Sequence, residues 1–213
     1  PRDRNHLAAL ARAHVEFADG LKENFTWSQN NAVAAFARAE PPLRDAESPL
    51  AQWAAMYRGA AEIYRGHYAV ADKLLHDVRR TAGPDQPAVI GKALWLLGVS
   101  QQLRGAYDAA NHRYREARPF YEKAGEPENL GAISYLLAEA LRSSGQIPAG
   151  QSEALLGLRL LSPFRRSSHL NNHLATVATY ARADGLSHAA LAIMDEVLDV
   201  APTLNRPKDI AFA

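Results

Sequence analysis

Small and bulky apolar positions recur along this chain at a fixed spacing, with polar residues between them. The clearest copy has small residues at Gly98, Gly105 and Ala110 and a bulky residue at Tyr114. The same order returns every 39 or 40 residues, in five copies. A period of this length indicates a repeated supersecondary unit that stacks on its neighbours to bury a core.

Each copy predicts two helices, A and B, joined by a tight turn. In the third copy we expect helix A over Pro87–Leu103 and helix B over Tyr107–Ala124. Proline is favoured in the first turn of a helix, and glycine is favoured just after its last residue. Pro87 and Gly105 stand at those two positions.

The first copy departs from this pattern at both of its turns. Trp27 stands where the later copies have glycine. Helix B is expected over Ser28–Glu40, because the Pro41-Pro42 pair lacks the amide donors that a helix needs. Residues 43–47 are then expected to form a loop before Ser48-Pro49 begins the next helix.

A glycine inside helix A indicates a close helix crossing. Gly20, Gly59 and Gly98 hold equivalent positions, although glycine costs about 1 kcal/mol relative to alanine in a helix. In the fourth copy the two sides exchange, with Ala138 on helix A and Gly150 on helix B. The residues expected opposite the first three glycines share a small side chain: Ala32, Ala71 and Ala110.

These elements predict an all-α fold, a right-handed α-solenoid of five helix–turn–helix repeats. The repeats are expected over residues 4–47, 48–86, 87–126, 127–166 and 167–206, and residues 207–213 are expected to begin a further helix. Because stacked repeats share one continuous core, residues 1–213 are expected to form a single superhelical domain. The next turn would fall beyond the last residue, so we expect the chain to be a fragment of a longer protein.

In its most regular copy the chain resembles the tetratricopeptide repeat (TPR) family. The matching pattern comprises Leu97-Gly98, Gly105-x-Tyr107, Ala110, Tyr114 and Ala117. The usual period of that family is 34 residues, so 39 or 40 implies longer helices or loops. The resemblance implies a concave face that is lined by helix A residues and binds peptides.

That implied groove contains nine candidate binding residues. They stand at equivalent positions of helix A: Trp53, Met56, Lys92, Trp95, Gln102, Tyr135, Glu139, Arg142 and Arg182. Tryptophan and arginine are the residues that most often anchor interfaces. The alternative is that Trp53, Trp95 and Tyr135 form the core between repeats, because a shift of one residue turns a side chain by about 100° around its helix.

Composition narrows the partners that we expect. The 213 residues are 47% hydrophobic and 22% charged, which fits a packed core rather than disorder. A formal charge of +1 does not favour nucleic acid, and no apolar run is long enough for a membrane span. The chain has no cysteine, which fits a reducing compartment, and we expect a cytoplasmic protein.

The sequence contains no convincing catalytic or cofactor-binding motif. It has no G-x-S-x-G elbow and no glycine-rich phosphate loop. His169 and His173 are four residues apart and form the one metal pair that we considered. Without a third ligand we interpret them as polar histidines near a loop, and we expect no metal, no cofactor and no enzymatic activity.

Two functions remain open at this stage. The first is a protein-interaction scaffold that binds a peptide or a neighbouring domain in the groove, and the second is the ligand-sensing arm of a bacterial transcriptional or signalling regulator. Three segments also resemble bacterial repeat arms that precede a caspase-like CHAT peptidase: residues 126–129, 136–142 and 194–197. That resemblance implies an arm that regulates an attached peptidase and does not itself cleave.

Overall fold

The computed structural model describes residues 4–200 and folds them into α-helices, with no strand in that range. The helices are α1 Arg4–Phe25, α2 Gln29–Asp45, α3 Leu50–Tyr64, α4 Tyr68–Thr81, α5 Pro87–Leu103, α6 Tyr107–Ala124, α7 Pro127–Ser143, α8 Ile147–Leu161, α9 Ser168–Ala183 and α10 Ser187–Val200. Odd-numbered helices correspond to helix A and even-numbered ones to helix B. The predicted all-α helical-repeat fold is therefore confirmed.

The turn from helix A to helix B has one backbone geometry in every repeat. The second residue after helix A is left-handed, with φ between 77° and 81° where it is glycine: Gly66, Gly105, Gly145 and Gly185. In the first repeat Trp27 takes the same conformation, with φ of 61°. This region is accessible to glycine at little cost and strained for most other residues. The repeat register thus holds even where its usual residue is missing.

The glycines inside helix A make room first of all for bulky side chains, which stand one helical turn after the alanines that we expected. A β-carbon on Gly98 would lie 2.4 Å from Cε1 of Tyr114, and one on Gly20 would lie 2.7 Å from the ring of Phe36. At Gly59 the nearest side-chain atoms belong to Leu75, at 3.1 Å, and the carbonyl oxygen of the expected Ala71 lies 3.7 Å away. The expected alanine is thus found opposite Gly59, while the nearest atoms opposite Gly20 and Gly98 belong to the aromatic residue.

The fourth repeat brings its helices together in the exchanged way that the sequence predicts. A β-carbon on Gly150 would lie 3.0 Å from the carbonyl oxygen of Ala138 and 2.6 Å from Cγ of Arg142. Ala138 is fully buried. Gly150 therefore allows α8 to pack closely against α7.

Helix α2 does not end at the proline pair. It continues through Pro41 and Pro42 to Asp45, which corrects both the expected end at Glu40 and the expected loop. Leu43 is completely buried in the core that also contains Phe36 and Ala39. Burial of that leucine stabilises the final helical turns even though the prolines supply no amide donors.

The chain divides into two compact units between Phe120 and Tyr121. The core of unit 1 includes a cluster around Phe36, while a cluster in unit 2 packs Leu161 against Val197 and Val200 of α10. The single domain over residues 1–213 stays a prediction, and the expected helix over 207–213 lies outside the described residues. None of the helices within residues 4–200 is long and apolar enough to cross a membrane.

Candidate binding surfaces of the two units

Two of the predicted groove residues in unit 1 lie in the core. Met56 on α3 has no exposed surface, and Trp95 on α5 is only 7% exposed. A side chain without exposed area offers a partner no contact, so Met56 cannot line a binding surface in this conformation. For Trp95 this placement agrees with the alternative that we left open, the core between repeats.

The other three predicted residues of unit 1 keep part of their surface exposed. Nζ of Lys92 lies 3.5 Å from the centroid of the Trp95 ring, which is a cation–π geometry. The side-chain oxygen of Gln102 accepts a hydrogen bond of 2.8 Å from the Tyr114 hydroxyl. Trp53 lies beside Tyr57, with ring centroids 6.1 Å apart. All three are therefore held in place by neighbours from their own unit.

An exposed aromatic surface follows the C-terminal ends of the A helices in unit 1. Trp27 is 60% exposed as a residue, and its ring meets that of Tyr64 edge-on, with centroids 5.4 Å apart. Phe25 and Leu103 are the last residues of α1 and α5, as Tyr64 is of α3, and each is about half exposed. We call these four residues the aromatic edge. One of its members, Leu103, directly follows the predicted groove residue Gln102 in the sequence.

A cleft of about 540 Å³ opens elsewhere in unit 1, between the end of α2, the start of α3, and α4. We call it the unit 1 cleft. Part of its lining is apolar and buried, and includes Ala51, Ala55 and Val78. Its charged lining residues are Glu40, Arg44, Glu47, Asp77 and Arg80.

The charges of the unit 1 cleft are mostly paired within it. Glu40 is only 8% exposed and forms ion pairs with Arg44 and, at 3.5 Å, with Arg58. Arg80 pairs with Asp77 at 2.9 Å, and this hydrogen bond is the main reason why the pKa of Asp77 is lowered. Glu47 stands at the left-handed position after α2, with φ of 53°. The cleft thus combines two internal ion pairs with one acidic residue on a strained backbone.

In unit 2 the predicted residue Arg142 already has a carboxylate partner. Its guanidinium donates to both carboxylate oxygens of Asp184, at 3.1 and 3.4 Å, and lies 4.1 Å from the centroid of the Tyr180 ring. Gln151 also donates to Asp184, at 3.2 Å. The hydrogen bonds from Arg142, and after them the one from Gln151, lower the pKa of Asp184. The Arg142 side chain is 11% exposed, so this pair links α7 to the end of α9 more than it faces solvent.

Tyr135 and Glu139 form a second polar group in unit 2. Burial raises the pKa of the Tyr135 hydroxyl, and the negative charge of Glu139 raises it further, while a hydrogen bond with Thr176 acts in the opposite direction. Burial also raises the pKa of Tyr180. Both phenols are therefore neutral hydrogen-bonding groups at physiological pH. Arg182, the last predicted residue, is exposed on α9.

His173 is a core residue rather than the polar histidine near a loop that we expected. It has no exposed surface, and its Nε2 lies 2.7 Å from the carbonyl oxygen of Ala154. Burial lowers its pKa, which favours the neutral ring with Nε2–H donating to Ala154. A β-carbon on Gly157 would lie 2.7 Å from Nε2, so that glycine makes room for the ring. Within residues 4–200 no three potential metal ligands cluster around this histidine or elsewhere.

No protein-family model and no curated protein matches this chain. Several solved structures do. A Rap protein complexed with Competence and Sporulation Factor superposes with a TM-score of 0.72 at 11% identity, over 95% of this chain and 62% of that one. BtubC from P. vanneervenii gives 0.70 at 14% identity, over 86% and 79%. TPR-like repeats assigned to a kinesin light chain of Podosopora anserina give 0.63 at 15% identity, over 92% and 97%.

The fold is that of TPR-like repeat proteins. At identities this low the likeness concerns the fold alone, and the chain spans less than two thirds of the Rap protein. The TPR-like register explains why the aromatic edge residues fall at equivalent helix ends. It does not explain Trp27 or Glu47, the two residues of the described chain other than glycine that have a positive φ.

Sequence reasoning missed the unit 1 cleft and the aromatic edge for different reasons. The cleft is built where three consecutive helices pack together, and no periodic signal in the sequence marks its lining residues. For the edge a signal existed, because Trp27 replaces a turn glycine of the TPR-like pattern. A large residue at a position that requires a left-handed backbone points to a function for its side chain.

Proposed function

We propose that this protein is a non-catalytic interaction scaffold and that its aromatic edge binds an apolar segment of a protein partner. The observation that carries the proposal is Trp27, a tryptophan that is 60% exposed at a turn where the four other repeats have glycine. Aromatic rings supply large rigid contact areas at low entropic cost, and tryptophan and tyrosine are frequent interface anchors.

The backbone geometry supports this reading of Trp27. A glycine there would make the turn without strain, so the indole persists at a cost to stability. Although its ring contacts Tyr64, more than half of the Trp27 residue is exposed. Within the proposal Trp27 and Tyr64 form the apolar anchor, while Lys92 and Gln102 contribute polar contacts from the predicted groove.

The proposed scaffold has a second, charged surface in unit 2. Glu139, Arg142 and Arg182 are the residues of the predicted groove that carry it. Because Arg142 is already paired with Asp184, the exposed Arg182 is the better candidate for a carboxylate of the partner. The partner in this proposal is a separate protein or a neighbouring domain of the same cytoplasmic polypeptide, such as a CHAT peptidase that the scaffold regulates.

Site-specific crosslinking tests the edge. A photo-reactive amino acid replaces Trp27 in the full polypeptide, and a second variant carries it at Val70, which is 45% exposed on α4 of the same unit. The crosslinked peptide at position 27 is identified by mass spectrometry and then synthesised. We expect it to bind wild-type protein and to lose at least tenfold in affinity with Trp27→Gly or Tyr64→Ala, but not with Val70→Ala.

The same experiment can reject the edge as the interaction site. Equal crosslinking at positions 27 and 70, or unchanged peptide affinity in folded Trp27→Gly and Tyr64→Ala variants, would contradict the proposal. Trp27→Gly is well suited because it removes the indole and relieves the turn, so it should not unfold the protein.

The unit 1 cleft favours the second candidate function, the ligand-sensing arm of a bacterial transcriptional or signalling regulator. Its volume of about 540 Å³ lies within the range of small-molecule sites. Buried Glu40 and the strained Glu47 are both features of a site rather than of simple packing. The test is ligand binding by the cleft, with the edge left intact.

A further inference from the structure

We propose that the unit 1 cleft binds an aliphatic amine cation, with its ammonium group at Glu47. The inference deepens the ligand-sensing function proposed above and is independent of the aromatic edge. It follows from the pairing of charges in the cleft, from the backbone of Glu47, and from an unsatisfied side chain beside it.

The first argument concerns which charged side chain of the cleft is still without a partner of opposite charge. Both of its arginines are engaged with carboxylates of the cleft, Arg44 with Glu40 and Arg80 with Asp77. An anionic ligand would have to compete with these carboxylates. The carboxylate of Glu47 has no ion pair or hydrogen bond within the described part of the chain. The group that the cleft can still neutralise is therefore a cation.

The backbone argument concerns why a glutamate stands at this position. Amide hydrogen bonds from Glu47 to Arg44 and from Ser48 to Leu43 close α2 with a left-handed residue. Glycine is the usual residue there, and Gly125 has the same role after α6, with φ of 69°. A glutamate in this conformation is strained. The strain places a carboxylate at the cleft, and ligand binding accounts for its presence.

The third argument identifies the rest of the ligand. The side-chain oxygen of Gln52, which also lines the cleft, is buried and has no hydrogen-bond partner within the described residues. Such an atom needs an N–H or O–H donor. Between these polar groups the lining includes Leu74 and the buried Val78, which suit methylene groups. A cationic amine on an aliphatic chain satisfies both features.

An ammonium group on an aliphatic chain can belong to a free diamine or to a lysine side chain. The probes are 1,5-diaminopentane and Nα-acetyl-lysine amide, and 1,5-pentanediol serves as the uncharged control. Binding to the chain is measured by titration calorimetry and by chemical shifts of the Gln52 side-chain amide. We expect saturable binding of at least one amine and none of the diol. Binding of the diamine alone assigns a free ligand, and binding of the lysine amide assigns a side chain.

Matched variants locate the site. Glu47→Gln should weaken binding about tenfold, as expected for a charge-assisted hydrogen bond, and Gln52→Leu should weaken it by a smaller factor. Asp45→Asn removes the same charge two residues away, at a side chain that does not line the cleft, and should leave affinity unchanged. Glu47→Gly should raise the melting temperature while abolishing binding, because it removes both the strain and the carboxylate.

Three results would overturn the inference. The first is that neither amine binds saturably up to about 10 mM, a concentration that would still detect weak binding. The second is that Asp45→Asn weakens amine binding as much as Glu47→Gln does. The third is that Glu47→Gly binds the amine with the affinity of the wild type. Glu47→Gly is expected to be more stable than wild type, so loss of folding cannot explain a loss of binding. Since Trp27 is unchanged in all these variants, failure here leaves the edge proposal standing.

Discussion

The interior glycines of the two units admit different sets of side chains. In unit 1 the glycines inside the A helices make room for apolar or aromatic groups, which are Phe36, Leu75 and Tyr114. In unit 2, Gly131 on α7 also makes room for an apolar group, Leu161, but Gly150 and Gly157 on α8 make room for Arg142 and His173. The missing β-carbon thus allows close hydrophobic packing in both units and, in unit 2, brings ionisable groups into the same kind of contact. The stability of unit 1 should depend on the volume of the side chains in these contacts, and that of unit 2 should depend also on pH and salt.

The largest effect should come from filling the tightest of these contacts. Gly98→Ala places a β-carbon 2.4 Å from the Tyr114 ring, which is fully buried and donates to Gln102. Overpacking costs about 1–3 kcal/mol, and the better helix propensity of alanine offsets about 1 kcal/mol. Because this contact is the tightest of them, we expect the upper end of the difference, a net loss of about 2 kcal/mol in the free energy of unfolding, measured by urea denaturation. An unchanged midpoint would show that the ring moves without cost.

The next-largest effect is a dependence of stability on pH, which we expect in unit 2 because of His173. Because burial lowers the pKa of His173 below its ordinary value of 6.5, the unfolded chain takes up a proton below that pH while the native chain resists it. Stability is therefore fully present above pH 6.5 and falls as the pH drops towards the native pKa. The free energy of unfolding, measured by urea denaturation, should therefore be lower at pH 5.5 than at pH 7, with a slope of at most about 1.4 kcal/mol per pH unit for one proton.

A variant of His173 tests whether this residue causes the dependence of stability on pH. His173→Gln keeps an amide donor for the carbonyl of Ala154 but removes the titration, so its unfolding midpoint should depend less on pH over this range. His188→Gln removes an exposed histidine of the same unit and controls for composition. If both variants keep the wild-type slope, the buried imidazole does not determine it.

A smaller effect is expected from the ion pair that Gly150 accommodates. Arg142→Met should raise the pKa of Asp184 towards its ordinary value of 3.8, because the hydrogen bond from Arg142 is the main cause of its depression. The stability due to this pair is present above the unfolded pKa and is lost as the pH falls through the native one. Carboxyl chemical shifts report the pKa directly. The exposed neighbour Arg182, changed to methionine, should leave it unmoved.

The smallest change in stability should come from Gly59→Ala, which can be compared with Gly98→Ala in the same unit. Its β-carbon would approach Leu75 at 3.1 Å, and a leucine can turn its terminal carbons away, unlike a tyrosine ring. The gain in helix propensity should then nearly cancel the crowding, so Gly59→Ala should change stability by less than about 0.5 kcal/mol. A loss as large as that of Gly98→Ala would mean that backbone approach, rather than ring size, sets the cost.

The parts of the fold that depend on local signals were predictable from the sequence. Helices α5 and α6 have the predicted bounds, because Pro87, Gly105 and Gly125 act through backbone geometry that needs no tertiary context. Helix α2 was mispredicted, because burial of Leu43 outweighs two missing donors, and burial depends on distant residues.

The candidate sites were less predictable, since they depend on how helices rotate and pack. Spacing alone placed Met56 and Trp53 in one groove, but only Trp53 keeps exposed surface. For Arg142 the sequence showed the charge and not its partner Asp184, which lies 42 residues further along the chain. Whether the remaining groove residues bind a partner stays a prediction.

The proline pair of α2 has a kinetic consequence for the unit 1 cleft. Pro41 and Pro42 carry no amide proton, so the carbonyls four residues before them receive no helical hydrogen bond. Each missing bond removes about 0.5–1.5 kcal/mol from the cost of opening the last turns of α2. Those turns carry Arg44 and lead to Glu47, both in the cleft lining. Burial of Leu43 holds these turns in place in the native state, so we expect them to open only briefly and locally. The amide of Arg44 should exchange with solvent faster than those of α3, and this local opening would give a ligand a route into and out of the cleft without unfolding of the unit.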